Sequence, residues 1–306
     1  MFTSQGPTLR ELAVQALSST EHGYDLLAPK FDRTPFRTPG RFLTATADAL
    51  RPLGPFDAGL DVCCGTGAGV ETLLPLCRER VTGVDFSAGM LAAAADAVGD
   101  PGRGGPAVDW VRADARALPF TEGYDVAVSF GAFGHFLPAE RPALFSGVHR
   151  ALRPGGLFAF PIGAPQPVTS PWYWALLGFD GMMRVRNLLW RPRFVMYYRT
   201  FALGGVCRDL RDAGFDVRLL PLEEFGRRPD GSPRWRLVVA RKAPSASRAT
   251  ALARSAQRTA GPIASDAPGN TAPSTSHPGT PHTTRSQVSR SGPTARASGT
   301  PVPKKP

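Results

Sequence analysis

Cysteine is scarce in this chain. Its four residues are Cys63, Cys64, Cys77 and Cys207. Two are adjacent, and no pair has a metal-ligand spacing, which argues against a disulfide framework and a zinc module. Cys63 and Cys64 are expected to pack as reduced thiols, and no metal is expected. No apolar run approaches the roughly 18 residues of a membrane span. The first residues also lack the basic-then-apolar pattern of a secretory signal. These absences give the expectation of a cytoplasmic protein.

Large apolar side chains are nearly missing after residue 242. The stretch 243–306 is mostly Ser, Thr, Pro, Gly, Ala and Arg. Such a composition buries too little surface to offset its ordering entropy, so the expectation is a disordered basic tail. The tail holds eight Lys/Arg against Asp266 alone, so +7 of the net +11 lies there and +4 in the body. The charge therefore does not mark a nucleic-acid-binding fold. It allows weak contact with polyanions or a membrane surface.

What is present is a regular alternation over 56–242. Strands are expected at 59–63, 80–84, 107–112, 124–130 and 156–161, with helices at 68–78, 87–98 and 139–152. A helix over 200–213 and two strands, 215–220 and 234–241, complete the pattern. Strands interleaved with helices imply an α/β fold whose mostly parallel sheet is covered on both faces. Helices over 8–18 and 41–50 suggest an N-terminal helical cap, 1–55.

The run Leu60-Asp61-Val62-Cys63-Cys64-Gly65-Thr66-Gly67-Ala68-Gly69 reads as a buried strand turning on glycine into a helix. Gly65 and Gly67 can take positive φ and let a ligand approach the main chain. The free N–H groups of the new helix suit an anion. Asp85 ends the next strand, 18 residues after Gly67, where a carboxylate can accept from ribose hydroxyls. Asp114 ends the third strand and can accept from an exocyclic amine, or instead cap the turn toward Pro119. A nicotinamide dinucleotide loop would place its third glycine at position 70. Here that residue is Val70, and Gly69 comes one early.

Taken in order, Leu60 to Gly67, Gly83 to Leu91, Arg112 to Phe120, Tyr124 to Phe136 and Leu152-Arg153-Pro154-Gly155-Gly156 resemble the class I S-adenosylmethionine-dependent methyltransferases. The nearest subgroup is the small-molecule enzymes related to quinone biosynthesis. The resemblance implies a Rossmann-like three-layer sandwich with seven strands, the last antiparallel, and S-adenosylmethionine as cofactor. It assigns cofactor binding to Asp61, Gly65, Thr66, Gly67, Asp85, Phe86, Asp114, Ala115 and Phe130. Asp61 would hold the ammonium, Asp85 the ribose, Phe86 the adenine face, and Asp114 with the Ala115 N–H the adenine edge. Tyr24, Phe31 and Phe36 become pocket-wall candidates.

His135 follows the fourth strand, near the expected methyl acceptor. It would serve either as a general base or as a structural imidazole. The insertion 162–199 interleaves Trp172, Tyr173, Trp174, Phe179, Trp190, Phe194, Tyr197 and Tyr198 with five arginines. It is expected to shape a pocket for a bulky apolar or aromatic small-molecule acceptor. The alternatives are a lipid-like acceptor, single-stranded RNA without any recognised module, and a cofactor-binding scaffold without turnover.

Overall fold

The computed structural model describes residues 6–102 and 104–244. Tail residues 245–306 lie outside that range. Seven strands form one sheet: β1 (Phe56–Val62), β2 (Cys77–Asp85), β3 (Ala107–Arg112), β4 (Tyr124–Val128), β5 (Leu152–Gly163), β6 (Phe215–Pro221) and β7 (Trp235–Lys242). Their order is β3-β2-β1-β4-β5-β7-β6. The first five run parallel, whereas β7 is antiparallel to both neighbours. The sheet is therefore the Rossmann-like one expected, with its last strand reversed.

Helices cover both faces, as parallel strands buried on each side require. They are α1 (Leu9–Leu17), α2 (Thr20–Leu27), α3 (Gly40–Leu50), α4 (Ala68–Leu73), α5 (Ala88–Val98), α6 (Arg141–Ala151), α7 (Pro171–Leu189) and α8 (Leu203–Asp212). Side-chain alternation divides the core. Phe158 and Phe160 of β5 join Leu144, Phe145 and Val148 of α6 and Leu210 of α8. Leu157 and Ala159 point the other way, to Leu50 of α3 and Val70 and Leu73 of α4.

Two sequence expectations need correction. The helix expected over 68–78 ends at Leu73, and β2 begins at Cys77 rather than 80. Pro75 explains the stop, because it lacks an N–H and disfavours helical backbone in the residue before it. The insertion is mainly one helix, α7, whose aromatics do not form the pocket wall expected of them.

Candidate functional site

Strand order reverses between β1 and β4, and ligands in open α/β sheets sit beyond the carboxyl ends at such a point. A cavity of about 420 Å³ opens there. Asp61, Gly65, Asp85, Phe86, Asp114, Ala115, Phe130 and His135 all line it. Thr66 and Gly67 do not. The Thr66 hydroxyl donates to Asp32 Oδ1 at 2.6 Å. Gly67 has φ +90° at the start of α4, and a Cβ there would lie 2.8 Å from Val98. These two residues shape the loop and do not face the cavity.

Gly65 differs. Its φ is +52° and a Cβ placed on it would meet only open space, so the bare main chain faces the cavity. Its N–H donates to Asp85 Oδ2 at 3.0 Å, and Ser87 N–H donates to Oδ1 at 2.9 Å. The Asp85 carboxylate is thus pinned by backbone donors while each oxygen keeps a further lone pair. Burial raises its pKa against those hydrogen bonds.

Asp61 is 1% exposed, and neither carboxylate oxygen makes a well-formed hydrogen bond. The Gly69 and Val70 N–H groups lie alongside it. Burial, reinforced by the Asp85 charge, pushes its pKa up to about 8. A Cβ on Gly69 would fall 2.3 Å from Asp61 Oδ2, so only glycine permits this approach. The sequence displays Gly69 as a misplaced third glycine. Its tertiary reason appears only with Asp61 beside it.

Asp114 starts a single 3-10 turn and accepts from Arg116 N–H at 2.9 Å. The Arg116 guanidinium also grips the same carboxylate, with Nη2 to Oδ2 at 2.6 Å, and reaches Glu140. This contact holds the Asp114 pKa below the usual carboxylate range. The capping geometry weighed from sequence is therefore present, at a residue that also lines the cavity.

The opposite wall comes from the N-terminal elements and the stretch after α7. Tyr24, Phe31 and Phe36 line it, as do Val195, Met196 and Tyr198. Of the eight aromatics expected from the insertion, only Tyr198 reaches the cavity. Trp172, Trp174 and Trp190 are exposed, and Phe194 and Tyr197 pack with Met183 behind the wall. His135 Nδ1 lies 2.6 Å from the Val195 carbonyl and Nε2 lies 2.7 Å from the Tyr24 hydroxyl. A carbonyl only accepts, so Nδ1 carries the proton and Nε2 accepts from the phenol. Burial keeps this imidazole neutral by lowering its pKa.

Sequence reasoning missed three residues at the site's edge. Asp25 Oδ1 accepts from Ser87 Oγ at 2.5 Å and from Gly89 N–H at 2.9 Å, tying α2 to the start of α5. Asp32 ties the following turn to Thr66, and Arg116 holds Asp114. No local pattern marks Asp25 and Asp32, because their partners lie far along the chain, whereas Arg116 sits only two residues from the Asp114 it holds.

The fold and this site together define a class, and the comparisons agree with it. Residues 60–156 match the family described as "Methyltransferase domain". That stretch, under half of the chain, is similar to a methyltransferase domain, and the cofactor expected of such a domain is S-adenosylmethionine. An uncharacterized methyltransferase of Synechocystis sp. is 35% identical over 108 residues, 35% of this chain and 47% of the relative. A 2-phytyl-1,4-naphtoquinone methyltransferase of Nostoc punctiforme is 34% identical over 104 residues, covering 32% and 43%. The matched stretch is thus less than half the length of each relative. In fold the chain is similar to the DhpI–SAH complex, with a TM-score of 0.52 and 19% identity over 78% of this chain and 100% of that one.

The cavity fits the cofactor. An unpaired buried carboxylate, Asp61, suits an ammonium, and the open cradle at Gly65 leaves room against the main chain. Among the described residues, no group of three or more His, Cys, Asp or Glu could hold a metal ion.

Proposed function

We propose that the chain transfers the methyl group of S-adenosylmethionine to a small, bulky apolar or aromatic acceptor by in-line displacement. Asp61 carries this reading: a buried carboxylate with no well-formed hydrogen bond, facing a cavity it shares with Gly65 and Asp85. Burying such a group unpaired is costly, so a cationic ligand group is its natural counterpart.

The cofactor supplies an activated sulfonium methyl. Asp61 holds the ammonium, and Gly65 lets the main chain approach the methionine part. Thr66 and Gly67 act indirectly, by fixing the loop. Asp85 accepts from the ribose hydroxyls through its remaining lone pairs, and Phe86 lies against the adenine. Asp114 and the Ala115 N–H read the adenine edge, while Phe130 closes the base of the site. The acceptor occupies the side walled by Tyr24, Phe31, Phe36 and Tyr198, whose rings suit an apolar or aromatic body. Catalysis then rests chiefly on alignment. Where the acceptor must lose a proton, the Tyr24 oxygen takes it and passes its own phenolic proton to His135 Nε2.

The similarity to a naphtoquinone methyltransferase supports a small ring-bearing acceptor. The test is incubation with S-adenosylmethionine and a panel of phenols, quinones and lipids, reading S-adenosylhomocysteine and methylated product. Product with a phenol or quinone supports the proposal. Calorimetric binding without turnover on any acceptor would leave a cofactor-binding scaffold instead.

A further inference from the structure

Helix α7 turns its apolar side outward. Asp180, Met183 and Asn187 take the inward side. Trp174, Leu177, Met182, Val185, Leu188 and Leu189 recur at helical spacing on the other, where Leu188 and Leu189 are 78% and 77% exposed. Gly178 and Gly181 share that side with nothing within 4 Å of a Cβ placed on either. The two arginines of the helix are drawn inward or along its flank. Arg184 lies over the Tyr197 ring at 5.3 Å, and Arg186 donates to the Ala16 and Ser18 carbonyls. Charge is thus confined to the flanks, where Arg184 is exposed, and the strip between them carries none. A water-facing helix surface normally reverses this pattern.

The rim has a different chemistry. Trp172 and Trp190 are exposed at either end of the helix, and Arg191 and Arg193 are exposed just past it. Trp190 Nε1 donates to the Leu17 carbonyl, which adds the exposed Leu17 of α1 to the surface. Over 162–199 there are five arginines and one acidic residue, the buried Asp180, giving a net +4.

We propose that this face docks on an anionic lipid bilayer, with the apolar side of α7 in the interface and the arginines at the headgroup phosphates. Exposed tryptophans bounding an apolar strip with a basic rim match the layering of a membrane interface. Charge complementarity selects the occupant. A second copy of this stretch would offer Arg191 and Arg193 no exposed carboxylate, its one acid Asp180 being buried, whereas anionic lipid pairs with them. The opposite side of the helix packs, through Met183, against Phe194 and Tyr197, next to the cavity-lining Val195 and Met196. Docking thus brings the acceptor wall to the bilayer. The surface stands on its own geometry, whether or not the methyl-transfer reading holds.

The test uses the full chain in flotation with phosphatidylcholine vesicles and with equal mixtures of phosphatidylcholine and phosphatidylglycerol. The expected result is flotation with the anionic vesicles, a blue-shifted tryptophan emission, and weakening by salt. The double variant Val185→Glu, Leu188→Glu should lower partitioning by about tenfold or more, because bound area and affinity scale together. Its S-adenosylmethionine binding should be unchanged, which reports an intact fold. The variant keeps the basic tail, so its loss reads the α7 face rather than the tail. The proposal is overturned if the chain floats with neither vesicle, or if the double variant floats equally well. It is also overturned if size exclusion shows a dimer that the double variant dissociates while vesicles bind neither form.

Discussion

Tyr24, from α2, donates its phenolic hydrogen to Nε2 of His135 across 2.7 Å, joining two residues 111 positions apart at the wall of the cavity. The imidazole has no free lone pair while this bond stands, so any base function must run through the phenol.

Tyr24→Phe should therefore slow the reaction of a hydroxyl acceptor nearly as much as His135→Ala, by roughly 10²–10⁴-fold for a positioned base. Cofactor affinity should hold in both. Since burial lowers the His135 pKa, the group stays neutral at pH 7 and the rate should fall only on the acid side, below its ordinary 6.5. A pH–rate profile of wild type and both variants checks this. Unchanged rates would reduce the pair to a structural contact.

Asp61 makes the ligand-free protein sensitive to alkali. Its folded pKa of about 8 lies above its ordinary 3.8, so the folded state binds the extra proton between those values. Stability should then decline as pH rises through that window, by on the order of a few kcal/mol. Asp61→Asn should flatten the decline in thermal melts taken across the range. Below pH 8 the wild type should release a proton on binding S-adenosylmethionine, visible as buffer-dependent calorimetric heats, and the variant should not.

Asp85→Ala removes the acceptor for Gly65 N–H and Ser87 N–H together with the proposed ribose contact. Calorimetry should show binding weakened by roughly 1–3 kcal/mol. Asp85→Asn, which keeps one carbonyl oxygen, should fall between the two.

Two glycines should respond in opposite directions. Gly69→Ala forces a methyl to within 2.3 Å of the Asp61 carboxylate, so stability should drop by about 1–3 kcal/mol and cofactor binding with it. Gly178→Ala meets nothing within 4 Å in the middle of α7 and should raise stability by about 0.5–1 kcal/mol. Denaturant titration of both variants decides.

Much of this architecture is legible in the sequence because alternation and glycine turns are local. The runs ending at Val62, Asp85 and Arg112 each deliver a cavity residue at or just past the strand end, and their order alone indicates the sheet. What escapes is long-range or directional. Asp25 and Asp32 look like ordinary loop acids until Ser87 and Thr66 stand beside them. Gly69 looks like a defect in a motif until Asp61 fills the space a side chain would take. The aromatics of α7 announce apolar surface, but spacing does not say whether it faces the body or the outside. Pro75 is legible in the sequence as a helix stop, and the helix expected over 68–78 runs past it.

Asp25 and Tyr24 are neighbours on α2, and they face different tasks. Asp25 fastens the helix to Ser87 and Gly89, immediately beyond the strand end that carries Asp85. Tyr24 carries the phenol into the cavity. The reach of that phenol is consequently set by a latch one peptide away, on the side of the cavity where Asp85 stands.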